Sequence, residues 1–181
     1  MARQRMIKPE FFSSETVTEC SFAARLCFVG LWCCADDKGH LKFAPKSLRK
    51  ELFGLDDVSM EDFLGYLVEL EEVRCIRLYV VRDDVYIDIP NFKVYQTINR
   101  PTKTNIPEPE HGTHVLLSEC SVSAHPKELT KELISKARGG DADAPPAPFG
   151  DTGDWKTDYL KSFRRKDDEV LEELPVLRGS C

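Results

Sequence analysis

The chain has 181 residues, with 25 Lys and Arg side chains against 31 Asp and Glu side chains, so its formal net charge is −6. Hydrophobic residues make up 41% of the chain and charged residues 31%, a composition that excludes a disordered tail and a membrane protein. The acidic total also excludes a protein that coats nucleic acid by bulk charge, but it allows DNA binding through a local basic patch.

Charge is distributed unevenly along the chain. Residues 1–107 carry 15 basic and 16 acidic side chains, a net charge of −1, whereas residues 108–181 carry 10 and 15, a net charge of −5. Gly, Asp, Ala and Pro dominate residues 139–154, which predicts a flexible linker. We therefore expect a domain over residues 1–107, a connector with a short helix over 108–138, the linker, and a C-terminal helix over 155–181.

The cysteines and the apolar segments indicate a cellular compartment. Seven cysteines are present and four of them crowd one apolar segment, which is typical of buried, reduced thiols and not of a disulfide framework. No apolar region follows the charged N-terminus, so no signal peptide is predicted. The longest apolar run, residues 23–35, is too short to span a bilayer. We expect a cytoplasmic protein with no membrane partner.

The predicted elements of the first 107 residues begin with a helix and a strand. Ser21 is a suitable N-cap for a helix that runs from residue 22 to about residue 35. A short strand is predicted at residues 40–43. Pro45 fits the first position of a second helix, which ends at Phe53.

A third helix and a hairpin complete the predicted domain. Ser59 and Asp62 have the spacing of a capping box, which predicts a helix over residues 59–72. Alternating apolar residues then predict a hairpin over residues 76–89. Helix, strand, helix, helix and hairpin is the order of a winged helix-turn-helix, with a three-helix core and the hairpin as wing. The expected fold class is α+β, with a helical, partly flexible C-terminal tail.

The first predicted helix is apolar around most of its circumference. Phe22, Leu26, Val29 and Cys33 share one face, and other apolar residues lie beside it. Because a helix that is apolar on most sides is usually buried, we expect this helix to lie in the middle of a small core.

Several short motifs in this region occur in the same order in a known family. They are Lys8-Pro9-Glu10-Phe11-Phe12, Ala24-Arg25-Leu26, Gly30-Leu31-Trp32, Ala35-Asp36, Glu51-Leu52-Phe53, Asp56-Asp57, Ile89-Pro90-Asn91-Phe92, Gln96, Asn99-Arg100-Pro101-Thr102-Lys103 and Ile106-Pro107-Glu108-Pro109. Over about residues 1–109 the chain resembles phage replication-initiation, or replisome-organiser, proteins.

The resemblance implies a function in DNA replication in the cytoplasm of a bacterial host cell. It implies an N-terminal winged helix that binds double-stranded origin DNA, and a C-terminal segment that recruits a replicative helicase or its loader. In this respect the family is similar to bacterial DnaD-type primosome proteins. The C-terminal segment of this chain contains no P-loop or other loader motif.

The candidate DNA-binding residues lie outside the third helix, which carries five carboxylates and no Lys or Arg. Carboxylates would repel phosphates if this helix entered the major groove in the usual way. Basic residues occur instead on an N-terminal arm, on the second helix and after the hairpin, where they could contact phosphates. They are Arg3, Arg5 and Lys8; Lys46, Arg49 and Lys50; and Lys93, Arg100 and Lys103.

An aromatic stripe marks the predicted C-terminal helix. Trp155, Tyr159 and Phe163 share one face at i, i+4 and i+8, which is typical of a helix that docks into a partner's groove. The same stripe could fold back onto its own domain or pair with a second copy, so a homo-oligomer stays possible.

No catalytic motif and no cofactor site is predicted. The chain has no GxxxxGK[ST], GxGxxG, GxSxG or HExxH motif, and we expect a protein that is not an enzyme. His111, His114, Cys120 and His125 are residue types that bind zinc, but their spacing matches no usual zinc pattern, and a polar connector is the simpler interpretation.

Two other functions are compatible with these patterns. In one, the acidic third helix and the wing form the interface of a non-catalytic adaptor or oligomer that regulates a host or phage machine. In the other, the winged helix belongs to a transcriptional regulator.

Overall fold

The structure is a computed structural model that describes residues 3–120 and 125–139. The described chain is mixed α+β. Its compact unit runs from Met1 to Gly140, and so extends past Pro107, where the sequence places the end of the first domain. The predicted linker beyond Gly139 and the predicted C-terminal helix lie outside the described residues.

Helices and strands follow the predicted order over most of the described chain. Helices α1 to α6 span Glu15–Thr18, Phe22–Cys34, Pro45–Phe53, Met60–Glu72, Phe92–Tyr95 and Pro126–Gly139. Strands β1 to β4 span His40–Lys42, Arg77–Val81, Asp84–Asp88 and Thr113–Val115. Short 3-10 helices span Pro9–Ser13 and Pro109–His111. Helices α2, α3 and α4 pack against one another, and the strands form an open antiparallel sheet in the order β1-β3-β2-β4.

Local sequence determines where the three packed helices begin. The hydroxyl of Ser21 accepts a hydrogen bond from the backbone N–H of Ala24 at 3.2 Å and caps α2. Ser59 and Asp62 form the predicted capping box, with hydrogen bonds of 3.0 and 3.1 Å between each side chain and the other residue's N–H. Pro45 occupies the first turn of α3, as predicted.

The strands separate an apolar face from a polar one. Leu78 lies opposite Ile87, and Val80 lies opposite Val85 in the pairing of β2 with β3. All four side chains are buried in the hydrophobic core that α2, α3 and α4 also build. The intervening residues, such as Tyr79, belong to the other face of the sheet, since side chains alternate along a strand.

Residues beyond Pro107 complete this core. Strand β4 pairs with the free edge of β2, with Val115 opposite Leu78. Helix α6 contacts β2, β3 and β4, and its Leu129 and Leu133 are fully buried in the same core. The predicted hairpin is therefore covered by α6 in part, and its turn contacts that helix through an ion pair between Arg138 and Asp83.

Helix α2 is buried on one side only. Its buried residues are Ala24, Cys27, Phe28, Leu31 and Trp32. On the opposite side, Phe22 is 85% exposed and Leu26 is 61% exposed. The expectation that α2 lies in the middle of the core is wrong for this side, because α3 and α4 cover only one face of the helix. The all-round apolar pattern could not show which face they would cover.

The six cysteines in the described part of the chain are unpaired. Burial raises the pKa of Cys27 to about 12 and that of Cys75 to about 12. These thiols therefore remain protonated at neutral pH and act as small apolar core residues. No helix among the described residues is long and apolar enough to cross a membrane.

Candidate nucleic-acid interface

The predicted basic arm at the N-terminus is attached to the end of α2. The side chain of Arg5 is only 6% exposed. Its guanidinium donates to the backbone carbonyls of Trp32, Ala35 and Asp36 at 3.0–3.1 Å, where the helix end leaves carbonyl groups without intrahelical partners. The ring of Phe92 lies 5.0 Å from the same guanidinium. Arg5 thus stabilises the end of α2 and is not placed to contact a phosphate, contrary to the sequence-based expectation.

Asp37 connects the arm to the segment that follows the hairpin. One carboxylate oxygen accepts a hydrogen bond from Nη1 of Arg3 at 2.5 Å. The other accepts from the hydroxyl and the backbone N–H of Thr102 at 2.6 and 2.8 Å. The structure therefore brings Arg3, which is 37% exposed, to the segment that carries the exposed Arg100 and Lys103.

The remaining basic residues of the arm and the segment after the hairpin lie beside α5. Lys8 donates from Nζ to the backbone carbonyl of Val94 at 2.7 Å, and Lys93 is exposed. The side chain of Gln96 exchanges two hydrogen bonds, of 3.0 and 2.8 Å, with the backbone of Met6. The arm is consequently an ordered part of the domain and not a free basic tail.

The aromatic residues between these basic residues belong to the core. Phe92 is buried, and the ring of Tyr95 stacks on Trp32 with 6.3 Å between centroids. Neither ring is therefore placed as a platform for a base.

Helix α3 exposes two of its three predicted basic residues. Lys46 and Lys50 are exposed and one helical turn apart. Arg49 is half-buried, and its Nη1 donates to the backbone carbonyl of Val58 at 2.6 Å. Arg49 therefore positions the loop between α3 and α4, and Lys46 and Lys50 remain as the candidates for phosphate contacts.

A groove of about 370 Å³ lies between the N-terminal ends of α3 and α6. We call it the lysine groove. Its floor is apolar and its rim is basic; the floor consists of Phe43, Pro45 and Pro126, and the rim of Lys46, Lys127 and Lys131. The Nζ of Lys46 lies 3.2 Å from Nε2 of His125, the residue that precedes α6. The groove is thus a second place where the described structure brings together basic residues from two separate segments.

Sequence reasoning missed Lys127 and Lys131. They lie four residues apart on a helix whose other side buries Leu129 and Leu133, so the pattern places the two lysines together on an exposed face. The pattern does not indicate that this face of α6 lies next to Lys46. Lys46 is 79 residues away in sequence from His125, the residue that precedes α6.

Two of the five carboxylates of α4 bind other segments of the protein. Glu69 accepts hydrogen bonds from the backbone N–H and the hydroxyl of Ser21, at 2.7 and 3.1 Å. Glu71 is buried and accepts from the N–H groups of Leu117 and Ser118, each at 3.0 Å. Burial raises the pKa of Glu71, and these two N–H groups partly oppose that effect.

The exposed side of α4 remains acidic. Glu61, Asp62 and Glu72 are exposed, and a side chain added at Gly65 would meet nothing within 4 Å. No Lys or Arg lies on this helix. The usual docking of such a helix in the major groove is therefore not supported, because its free surface would repel phosphates.

The four candidate zinc ligands do not converge. Among the described residues, no group of three or more His, Cys, Asp or Glu side chains could hold a metal ion. Instead His125 contacts Lys46. Within the part of the chain that the structure describes, His111, His114, Cys120 and His125 are therefore not brought together as a zinc site. The candidate partner-binding residues Trp155, Tyr159 and Phe163 lie outside the described residues.

Comparison with known proteins identifies no relative: no protein-family model matches the chain, and no significant match was found among curated proteins or among solved structures.

Proposed function

We propose that the protein binds double-stranded DNA and acts in the initiation of phage replication in the cytoplasm of a bacterial host. The observation that carries the DNA-binding part is the lysine groove, where α3 and α6 present Lys46, Lys127 and Lys131 around one depression. The three packed helices and the antiparallel order β1-β3-β2 support a winged-helix interpretation. Replication initiation depends on the resemblance of residues 1–109, as does recruitment of a helicase or its loader by the tail.

Binding of this kind would depend mainly on phosphate contacts. Lysines form salt-dependent contacts with the DNA backbone that carry no sequence information. The exposed Lys50, Lys93, Arg100 and Lys103 extend the basic surface. Because the exposed side of α4 is acidic, we expect weak sequence preference and a docking mode that leaves α4 away from the major groove. Such binding needs no catalytic residue.

The test is the salt dependence of duplex binding by the variant Lys46→Gln/Lys50→Gln. Each phosphate contact contributes about 0.9 to the slope of log K against log salt. Loss of two contacts should therefore reduce that slope by about 1.8 and weaken binding most at low salt. Fluorescence anisotropy with a labelled duplex across a salt series measures both quantities.

A matched control removes two lysines that carboxylates already engage. The Nζ of Lys42 lies 2.7 Å from Oδ1 of Asp84, and the Nζ of Lys136 lies 3.8 Å from Oε2 of Glu119. The variant Lys42→Gln/Lys136→Gln makes the same change in net charge and should leave the slope nearly unchanged. Equal effects of the two variants, or no duplex binding by the wild-type chain at low salt, would argue against this DNA-binding surface.

A second candidate function is that of a non-catalytic adaptor or oligomer. The observation that favours it is the apolar outer face of α2, where Phe22 and Leu26 are exposed. Exposed apolar patches on a folded protein often mark interfaces with other proteins. A transcriptional regulator would use the same duplex-binding surface as the first proposal and differs from it only in its target.

A further inference from the structure

The tip of the β2–β3 hairpin holds an arginine in a conformation that arginine rarely adopts. Val81 pairs with Asp84, so Arg82 and Asp83 form a two-residue loop between the strands. Arg82 has a φ of 59°, in the left-handed region that favours Gly, Asn and Asp in such loops. An arginine therefore makes this loop less stable than an asparagine would. The fold of the hairpin does not explain why an arginine occupies the position.

The side chain of Arg82 is available to a ligand, whereas the two aspartates beside it are engaged. Asp83 forms an ion pair with Arg138. Oδ1 of Asp84 lies 2.7 Å from Nζ of Lys42. Arg82 is exposed, and within the described part of the chain its guanidinium takes part in no hydrogen bond or ion pair. Because unfavourable backbone conformations cluster at functional sites, this arrangement indicates a residue that binds something outside the fold.

Helix α6 connects the hairpin tip with the lysine groove. Lys127 in the first turn of α6 lines the groove, and Arg138 in the last turn contacts the hairpin tip through Asp83. These two positions are 11 residues apart, a rise of about 17 Å. Lys127, Lys131 and Arg138 are exposed, and their spacings of four and seven residues place them on one side of the helix. The groove and Arg82 thus lie at opposite ends of one basic helix face.

The length of this face fits a short stretch of duplex DNA. Successive phosphates of one strand are about 3.4 Å apart along the duplex axis, so about 17 Å corresponds to about five base pairs. A single duplex that lies along α6 can therefore contact the groove and the hairpin tip at the same time.

We propose that duplex DNA lies along the basic face of α6 and that Arg82 contacts its phosphates at the hairpin tip. This inference rests on the proposed DNA-binding function and specifies the path of the duplex and one further residue that contacts it. The unfavourable conformation of Arg82 is then retained because it holds a guanidinium where the duplex passes.

The first test is the variant Arg82→Asn, which removes the guanidinium and introduces a residue that tolerates the left-handed conformation. Loss of one phosphate contact should reduce the slope of log K against log salt by about 0.9 for a labelled duplex. The midpoint of urea unfolding should not fall, because Asn relieves the strain in the loop. Fluorescence anisotropy across a salt series and urea unfolding of the full chain measure the two quantities.

A matched control is Arg74→Asn. Arg74 is exposed and has a φ of 60°, so this variant makes the same change in charge and in backbone preference. Arg74 follows the acidic helix α4. That helix lies toward the other side of α6, because Glu71 binds the N–H of Ser118 and Lys136, nine residues after Lys127, donates to the carbonyl of Glu119. Arg74→Asn should therefore leave the salt slope unchanged.

A conservative variant separates charge from fold. Arg82→Lys keeps a cation in the same strained loop and should keep the salt slope of the wild-type chain. Lys127→Gln/Lys131→Gln should reduce the slope by about 1.8, and its effect should add to that of Arg82→Asn, because the two sites contact separate phosphates.

Several results would overturn the inference. An unchanged slope for Arg82→Asn, with duplex binding by the wild-type chain, would overturn it and leave the proposed function standing. An equal reduction by Arg74→Asn would show that only net charge matters. A urea midpoint that falls in Arg82→Asn and in Arg82→Lys would show that the arginine serves the fold of the hairpin. Absence of duplex binding by the wild-type chain at low salt would remove both the inference and the proposed function.

Discussion

At the scale of single residues, Asp36 and Asp37 have different functions although they are adjacent. Asp36 makes the turn before β1, since its carboxylate accepts hydrogen bonds from the N–H groups of Lys38 and His40 at 2.8 and 2.9 Å. Asp37 instead binds residues far away in sequence, Arg3, Arg5 and Thr102. Local spacing can indicate the hydrogen bonds of a turn but not these distant partners.

The substitution Asp37→Asn should destabilise the protein by about 3 kcal/mol at pH 7, because it removes the negative charge that the buried guanidinium of Arg5 contacts at 3.2 Å. It also weakens the bonds from three other donors, which are Nη1 of Arg3 and the hydroxyl and N–H of Thr102. The hydroxyl of Thr102 is the main cause that holds the pKa of Asp37 far below its usual range, with further contributions from the Thr102 N–H, Arg5 and Arg3. The stability that this carboxylate contributes is therefore present above pH 4, near its unfolded-state pKa, and is lost as the pH falls below that value. Urea unfolding at pH 7 and at pH 3 measures both effects.

The control for this substitution is Asp57→Asn, an exposed aspartate on the loop before α4. It should change the free energy of unfolding by no more than about 0.5 kcal/mol. A difference between wild type and Asp37→Asn that stays the same from pH 7 to pH 2.5 would show that the charge of Asp37 is not the source of its effect.

At the scale of elements, α2 combines two functions that its sequence does not separate. One face packs against α3 and α4 and is explained by the core. The other face exposes Phe22 and Leu26, with the guanidinium of Arg25 lying 4.9 Å from the ring of Phe22. Nothing in the fold of the described residues requires these side chains to be apolar, which is why the adaptor function remains a second candidate.

If the outer face of α2 is an interface, the variant Phe22→Glu/Leu26→Glu should abolish association and leave folding intact. Carboxylates cannot be buried against an apolar partner without a large cost, whereas in the monomer both positions are exposed. Size-exclusion chromatography with light scattering over a range of concentrations measures the association, and urea unfolding measures the stability of the monomer.

The comparison for this pair is Leu116→Glu, which places one carboxylate at another exposed leucine, 49% exposed and outside α2. It should leave association unchanged. A wild-type chain that stays monomeric at every concentration would remove self-association as the function of this face.

At the scale of the whole molecule, the parts that sequence predicted are those that local interactions determine. The capping box of Ser59 and Asp62 and the alternating residues of the β2–β3 hairpin depend on neighbours within a few positions. The pairing of β4 with β2 and the place of Arg5 depend on partners distant in sequence. For the same reason Lys46 was predicted as an exposed cation, but the groove that it shares with α6 was not.

The extent of the folding unit is testable with two fragments, residues 1–107 and residues 1–140. The shorter one lacks β4 and α6, and so loses the fully buried Leu117, Leu129 and Leu133. Each such side chain contributes about 1.5–3 kcal/mol on burial, a total comparable with the whole stability of a typical domain. We therefore expect residues 1–140 to unfold cooperatively in urea with the midpoint of the full chain. Residues 1–107 should unfold without a cooperative transition, because the apolar face of β2 and β3 that α6 covers becomes exposed to water. Equal midpoints for the two fragments would mean that the three helices and the hairpin suffice for cooperative folding. The α6 side of the lysine groove would then belong to a segment that the fold does not need.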